Sequence, residues 1–369
     1  PTFILKLKSQ DYDDLTNFQI KKENFPGFKI IYEKISYISK LNDSEIDQIK
    51  LNNLSVFDLL IFENTKKEKD IFKKLQTKNM SEIEYFLYLG YLARNQLSIN
   101  NKNNNRILRT EHDKNLINDF FKKDNVLSKK PNNNFIIANL FAHIGLQLSY
   151  QENIPVYYVK LVYEISNFLD SDSGFGNFYI SNLFEQEQNY DTALRKLEKV
   201  NERSIMFLSA KLKKYMILRD HNERSSSVVF EKIKKQFNNN EKVDLIIANN
   251  YRRKNDCDKA ITIYNKLIKK NINNQNFLYF KGSCLEKLNK WKEAKETFKK
   301  LIKNNPKDAY SMNYLSYSMA IREEELISAK KLILRAIELQ KDNGFFIDTL
   351  GWIEFKLKNY NKALKHLQH

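Results

Sequence analysis

Small and large apolar residues recur with a fixed step along the second half of the chain. Five alanines are each followed by an apolar residue four positions later: Ala193, Ala260, Ala294, Ala329 and Ala363. The last four are separated by 34, 35 and 34 residues, and the first lies 67 residues, about two steps, before the second. Apolar residues at this spacing lie on one face of a helix, so each alanine marks an amphipathic helix.

A second landmark lies twelve or thirteen residues before each alanine. All of its members are small: Ser181, Ala248, Gly282, Ser316 and Gly351. Two antiparallel helices approach closely where such residues face each other, because larger side chains would overpack the contact. Each segment therefore predicts a helix, a short polar turn and a second helix. The clearest example is 276–288 followed by 292–303, with Pro306 ending the second helix because proline has no N–H to donate.

The segment 276–306 resembles one unit of the tetratricopeptide repeat (TPR) family. The signature positions of the family are occupied by Gly282, Leu285, Trp291, Ala294, Phe298, Leu301 and Pro306. The resemblance is strongest over 241–369 and fair over 174–205, and Glu354 departs from it by replacing a residue that is usually aromatic. The repeats at 313–353 are similar to those of Gram-negative bacterial TPR proteins, several of which are exported or attached to the outer membrane. The resemblance thus favours the periplasm over the bacterial cytoplasm, while the residues themselves leave the compartment open.

The first 240 residues carry the helical pattern less regularly. Apolar spacing predicts helices over 28–41, 55–62, 71–75 and 83–97 and hairpins over 135–169 and 204–237, with an inter-helix turn at 10–15 and a polar loop at 100–105. With about 34 residues per hairpin, we expect an all-α fold, a right-handed α-solenoid of about ten stacked hairpins. We divide it into divergent hairpins (1–130), degenerate hairpins (131–240) and regular repeats (241–369). The alternative is a separate helical N-terminal domain that ends near 125–133.

The last regular unit is truncated, because the chain ends at His369 inside a second helix. Solenoids need polar capping units, since an end unit otherwise exposes its apolar face. We therefore expect the natural protein to extend further or a partner to cover this end.

Composition agrees with a helical scaffold and argues against several other classes. Hydrophobic residues make up 42% of the chain, whereas there are only 8 Gly and 5 Pro among 369 residues. That is too few turn residues for an all-β fold, and the glycine clusters of nucleotide-binding loops are missing. No apolar run approaches the roughly 18–20 residues that a membrane span needs.

The net charge of +17, from 62 Lys and Arg against 45 Asp and Glu, has two interpretations. Lysine doublets and asparagine runs are spread along the chain, which is typical of an AT-rich genome. The alternative is a functional basic surface that binds nucleic acid or anionic lipid.

Residues with catalytic or metal-binding chemistry are dispersed. Cys257 and Cys284 are expected to be free thiols unless neighbouring hairpins bring them together, and His143 is expected in the core or the groove. His366 and His369 would supply only two metal ligands. No nucleophile elbow or zinc-protease motif is present. We therefore predict a protein that is not an enzyme and has no cofactor and no metal site.

The resemblance implies that the first helices of the hairpins line a concave groove. Their side chains that are not needed for packing are the candidate partner-binding residues: Asn249, Arg252, Arg253, Tyr279, Ser283, Lys287, Asn313, Tyr317, Asp348 and Trp352. Asparagine can bond an extended backbone, arginine a carboxylate, and tyrosine or tryptophan gives rigid contact area. We predict a scaffold that binds a peptide or a partner protein, in a bacterial assembly or envelope process. The alternatives are a basic solenoid for nucleic acid or anionic lipid and the TPR arm of a larger enzyme.

Overall fold

The computed structural model of the chain describes residues 2–10, 27–42, 54–75, 78–95, 127, 130–221, 223–238, 240–270 and 275–368. Within these ranges it contains nineteen α-helices, one short 3-10 helix and no strand. The all-α prediction is therefore confirmed. The predicted turn at 10–15, apart from its first residue, the predicted loop at 100–105 and His369 lie outside the described residues.

The chain forms two compact units, Pro1–Ile233 (unit 1) and Lys234–His369 (unit 2). The boundary falls within helix α11. The helices that begin in unit 1 are α1 (Thr2–Ser9), α2 (Phe28–Ser39), α3 (Val56–Ile61), α4 (Glu68–Leu75), α5 (Glu82–Arg94), α6 (Asn133–Leu148), α7 (Val156–Leu169), α8 (Phe175–Gln186), α9 (Tyr190–Glu198), α10 (Phe207–His221) and α11 (Glu223–Gln236). The helices that the apolar spacing predicted over 28–41, 55–62, 71–75 and 83–97 are thus confirmed, to within a few residues. The division into three parts at 130 and 240 stays a prediction.

Unit 1 has one continuous hydrophobic core, and polar side chains are buried within it. The Lys34 ammonium of α2 lies 2.7 Å from the Asp58 carboxylate of α3, with the two side chains 3% and 1% exposed. The Arg94 guanidinium of α5 forms two bonds of 2.8 Å with the Glu63 carboxylate. Buried charges are tolerated only when they are paired, so these contacts fix how α2, α3 and α5 meet.

Unit 2 is built from four helical hairpins in succession. The first helix of each is called the A helix: α12 (Glu241–Arg253), α14 (Gln275–Lys287), α16 (Ala309–Ile321) and α18 (Gly344–Lys356). The second is called the B helix: α13 (Cys257–Lys270), α15 (Trp291–Asn304), α17 (Leu326–Leu339) and α19 (Tyr360–Leu367). Each B helix packs on the A helix of its own hairpin, and α13, α15 and α17 also pack on the next A helix.

The contact between paired helices has the chemistry that the repeat predicts. The paired alanines Ala260, Ala294 and Ala329 are fully buried. A Cβ added at Gly282 would lie 2.8 Å from the Phe298 ring, which is itself fully buried. A larger residue at this point of α14 would therefore push the two helices of its hairpin apart.

All four hairpins begin their turn in the same way. One non-glycine residue after each A helix has a positive φ: Asn255 (61°), Asn289 (58°), Glu323 (53°) and Lys358 (64°). The next residue then donates its N–H to a carbonyl five positions back, as Lys290 does to Leu285 at 2.9 Å. This is the Schellman arrangement, which satisfies a carbonyl at the end of the A helix and reverses the chain. The turn between α16 and α17 has a second non-glycine residue with a positive φ, Glu325 (46°).

Candidate partner-binding surface

The ten residues predicted from the sequence lie on the A helices of unit 2. On each A helix they are spaced by three, four or eight positions, apart from the adjacent pair Arg252 and Arg253, and therefore share one face. The A helices α16 and α18 also contact each other directly. These residues with Tyr310, Phe345 and Phe355 are called the A-helix surface here.

At the α12 and α14 end of the A-helix surface, several side chains are engaged with their neighbours. Asn249 accepts a hydrogen bond of 2.7 Å from the Tyr264 hydroxyl. The Arg252 guanidinium lies 4.8 Å from the centre of the Phe280 ring. Lys287 is exposed and donates to the Asn255 side chain at 3.0 Å. Together with the exposed Arg253, these residues make this end basic.

Two predicted residues take part mainly in packing. Ser283 is only 6% exposed, and its hydroxyl donates to the Phe280 carbonyl at 2.9 Å. The Tyr279 ring lies edge-on to Phe298 at 5.7 Å and to Tyr314 at 5.5 Å, and burial raises the pKa of its hydroxyl. Tyr279 thus connects successive hairpins, Ser283 is bonded within its own helix, and both offer a partner little accessible area.

The α16 and α18 end of the A-helix surface is different in character. Helix α16 carries no charged residue. Large apolar side chains stand in solvent here: Tyr317 is 47% exposed, Phe345 78% and Trp352 36%. The Trp352 ring stacks on Phe355 with centroids 5.5 Å apart, which holds both rings in place. Asp348 is exposed beside them. Asn313 lies on the same face, and its buried amide oxygen has no hydrogen-bond partner among the residues that the structure describes.

The departure at Glu354 is explained by an ion pair. Its carboxylate is buried on α18 and lies 2.7 Å from the Lys330 ammonium of α17, while the Asn359 amide donates to it at 2.8 Å. Burial by itself raises the pKa of Glu354, but the bonds from Lys330 and Asn359 together hold it below its usual value. A charged residue thus replaces an aromatic one because a lysine of the neighbouring helix reaches it.

Of the other residues that could carry chemistry, one histidine and two cysteines are buried. His143 is buried in unit 1, and its Nδ1 lies 2.9 Å from the Ser81 hydroxyl, which caps α5 by accepting from the Glu84 N–H. Cys257 and Cys284 are free and buried, and burial together with the neighbouring Cys257 thiol raises the pKa of Cys284 to about 12. In the described ranges, no group of three or more His, Cys, Asp and Glu residues is placed to hold a metal ion. No described helix is both long and apolar enough to cross a bilayer.

Comparison with known proteins gives partial matches. Residues 219–301 match the family model described as anaphase-promoting complex, cyclosome, subunit 3. A curated TPR repeat-containing protein of Pseudomonas aeruginosa is 29% identical over 93 residues, which are 25% of this chain and 16% of that protein. The match thus spans less than a fifth of the relative's length.

Several solved structures resemble about half of the chain. A tetratricopeptide repeat protein from Parabacteroides merdae is 15% identical and covers 53% of this chain and 78% of its own, with a TM-score of 0.45. YrrB, described as a TPR protein with an unusual peptide-binding site, is 16% identical and covers 50% and 95%, with a TM-score of 0.38. A form of MamA from Desulfovibrio magneticus is 19% identical and covers 43% and 92%, with a TM-score of 0.37.

Proposed function

The chain is a tetratricopeptide-repeat protein, and on that premise we propose that unit 2 is a scaffold whose A-helix surface binds a segment of a partner protein. The observation that carries this proposal is the exposed aromatic end of the surface. Tyr317, Phe345 and Trp352 stand in solvent beside a helix without charge. Large apolar side chains grouped on a surface mark an interaction site, and tyrosine and tryptophan are the residues that most often dominate binding energy.

The two ends of the surface define the chemistry of the segment. Over α16 and α18 it needs apolar anchor residues that cover Tyr317 and Trp352. Over α12 and α14, Arg253 and Lys287 are exposed and favour acidic residues. We therefore propose a segment with apolar residues toward one end and acidic residues toward the other.

The test compares single substitutions in a quantitative capture experiment from native lysate. We expect Tyr317→Ala and Trp352→Ala each to weaken the same partner by about 30-fold, because an aromatic hot spot contributes about 2 kcal/mol. The matched control is Tyr150→Ala, which removes a tyrosine of unit 1 that is 81% exposed. Identical partner sets and amounts for the wild type and all three variants would remove the A-helix surface from consideration.

The variant Asn249→Ala tests whether Asn249 serves in packing or in binding the partner. Asn249 is bonded to Tyr264 within its own hairpin, so we expect the variant to lower stability and to leave the partner set unchanged. Loss of the partner without loss of stability would instead place Asn249 in direct contact with the bound segment.

A bacterial assembly or envelope process remains our finer proposal for this scaffold. It is supported by the similarity of 313–353 to repeats of Gram-negative TPR proteins and by the curated relative from Pseudomonas aeruginosa. Fractionation of the native cells, followed by detection of the protein, tests it. The proposal would be contradicted if the protein were recovered neither in the envelope fraction nor in complex with any envelope protein.

A further inference from the structure

The charges of unit 2 are divided unequally between its two kinds of helix. The four A helices carry six Lys and Arg and five Asp and Glu. The four B helices carry fourteen Lys and Arg and only four Asp and Glu. At the ratio of the whole chain, 62 to 45, fourteen basic residues would be accompanied by about ten acidic ones. A general compositional bias therefore does not account for the B helices.

Helix α15 shows how this charge is presented. Its buried apolar residues are Ala294, Phe298 and Leu301, and Phe298 lies against Gly282 of the A helix in the same hairpin. The opposite face carries an exposed stripe with the spacing of one helical face: Lys292, Glu296, Lys299, Lys300 and Lys303. Glu296 lies 3.7 Å from Lys299. Lys292, Lys300 and Lys303 form no ion pair with any described residue, so their charge is free to act on a partner.

The equivalent stripe on α17 consists of Ile327, Lys331, Leu334, Arg335 and Glu338, so it mixes two cations and one carboxylate with aliphatic side chains. Ile327 and Leu334 are both exposed, and they alternate with the exposed Lys331 and Arg335. Arg335 donates to the Pro306 carbonyl at 2.7 Å, which holds its guanidinium close to the helix surface. An exposed isoleucine and leucine among cations are unfavourable in water and favourable at an interface that is both anionic and apolar.

We propose that the outward face of the B helices, called the B-helix surface here, docks unit 2 on an anionic lipid bilayer. Lysines held over such a bilayer lie in its negative surface potential, and aliphatic side chains can enter the boundary between headgroups and acyl chains. The A-helix surface would then remain accessible, because the lysines point away from the A helices. This inference is independent of the partner segment proposed above.

Nucleic acid fits the same charge but not the same side chains. Single strands are held on aromatic platforms, and the stripes on α15 and α17 contain no aromatic residue. A duplex would meet the lysines through its phosphates and would gain nothing from Ile327 and Leu334. The aliphatic residues therefore distinguish a bilayer from a polyanion.

The test is flotation of the full chain with vesicles of phosphatidylcholine alone and of phosphatidylcholine with about 30% phosphatidylglycerol. We expect binding to the anionic vesicles only, decreasing as salt is raised. One variant carries Lys292→Gln, Lys299→Gln, Lys300→Gln and Lys303→Gln. Each lysine near the surface contributes about fivefold, so this variant should bind at least about 100-fold more weakly.

The matched control removes the same four charges from unit 1, at the exposed residues Lys29, Lys66, Lys69 and Lys73. We expect it to bind like the wild type. A second variant, Ile327→Ser with Leu334→Ser, should weaken vesicle binding and leave any binding to duplex DNA unchanged. Circular dichroism verifies that all variants are folded, which is expected because every substituted side chain is exposed.

Three results would overturn the proposal. The first is the absence of binding to anionic vesicles at about 50 mM salt, where surface charge is weakly screened. The second is an equal loss in both four-lysine variants, which would show a response to net charge alone. The third is a double serine variant that binds vesicles as tightly as the wild type, particularly if the wild type also binds duplex DNA, because the surface would then be a general polyanion site.

Discussion

The helices of the two units are packed together by different kinds of contact. Unit 2 repeats one contact, in which a small residue on the A helix lies against a large side chain of the B helix, as Gly282 lies against Phe298 and Gly351 against Leu367. Unit 1 instead fixes its helices with individual polar contacts inside the core, such as Lys34 with Asp58 and His143 with Ser81. A repeated contact leaves a period in the sequence, whereas an individual contact does not.

Both units carry ion pairs at the surface, such as Lys160 with Glu187 in unit 1. Among the described residues, however, only unit 1 has pairs in which both side chains are less than 10% exposed. Unit 2 places many of its pairs at the rim between hairpins, where Lys356 meets an exposed Glu323 at 2.8 Å, with the buried Glu354 as an exception. The Lys34–Asp58 pair of unit 1 is almost fully excluded from water. A buried pair is costly to break because the remaining charge has no solvent, while an exposed pair is readily replaced by water. The units should therefore respond very differently to the loss of one partner.

The largest effect that we predict comes from Lys34→Met, which leaves the Asp58 carboxylate buried without its cation. We expect unit 1 to lose about 3–5 kcal/mol of unfolding free energy. Urea unfolding followed by far-UV circular dichroism measures both units. The chain has two tryptophans, Trp291 and Trp352, and both lie in unit 2, so their fluorescence follows that unit alone. The circular dichroism midpoint should fall while the fluorescence midpoint stays.

Two further variants support the interpretation of this result. Lys259→Met breaks the exposed pair with Asp256 in unit 2 and should change neither midpoint measurably. Lys34→Met combined with Asp58→Asn removes both charges and should recover much of the lost stability. If Lys34→Met lowers both midpoints equally, the two units unfold as one cooperative body and the comparison between them fails.

The sequence predicted the structure best where the same contact between helices recurs along the chain. The 34-residue step located the hairpins of unit 2, and apolar spacing located α2, α3, α4 and α5 of unit 1. It could not find the Lys34–Asp58 pair, because two charged residues on different helices carry no mark of their partnership. The spacing placed the candidate binding residues on the A helices, but it could not show that Ser283 is bonded inside its own helix or that Asn249 accepts a bond from Tyr264.

The unequal charge of the B helices could have been found from the sequence but was not. Counted along the chain, the lysine doublets are dispersed. Counted separately on the first and second helices of the predicted hairpins, the same residues separate into a nearly neutral set and a basic set. The excess of lysine can therefore be assigned to the B-helix surface once the residues are grouped by helix.

A smaller effect is expected at the helix contact that the repeat depends on. In Gly282→Ala, the added methyl group lies 2.8 Å from the buried Phe298 ring, which must move. Overpacking costs about 1–3 kcal/mol, and the better helix propensity of alanine offsets about 1 kcal/mol. We therefore expect unit 2 to become less stable by up to about 2 kcal/mol, measured by the fluorescence midpoint.

Gly344→Ala is the matched control, because no atom lies within 4 Å of the added methyl group. It should leave the stability of unit 2 unchanged or raise it slightly. Equal effects of the two substitutions would show that helix propensity, and not close approach of α14 and α15, decides whether glycine is required at position 282.

The smallest predicted effect is a difference in how the stability of the two units depends on pH. Burial lowers the pKa of His143, with the nearby Lys78 adding to the effect and Glu84 opposing it. Below its ordinary value of 6.5, the unfolded chain therefore takes up a proton that the folded unit 1 does not. The resulting contribution to stability is fully present above pH 6.5 and is lost as pH falls toward the lower pKa of the folded state. Unit 1 should become less stable between pH 6.5 and pH 5.

The stability of unit 2 should not change between pH 6.5 and pH 5. Its shifted carboxyl groups, Glu323, Glu324 and Glu354, have pKa values below the ordinary 4.5, so their contribution is lost only at more acidic pH. Urea midpoints at pH 7, 6 and 5 test the difference, with circular dichroism falling and tryptophan fluorescence constant. His143→Asn, which can keep a hydrogen bond to Ser81 without titrating, should remove the fall. Persistence of the fall in that variant would assign it to another group and remove His143 as the reason that the two units respond differently to acid.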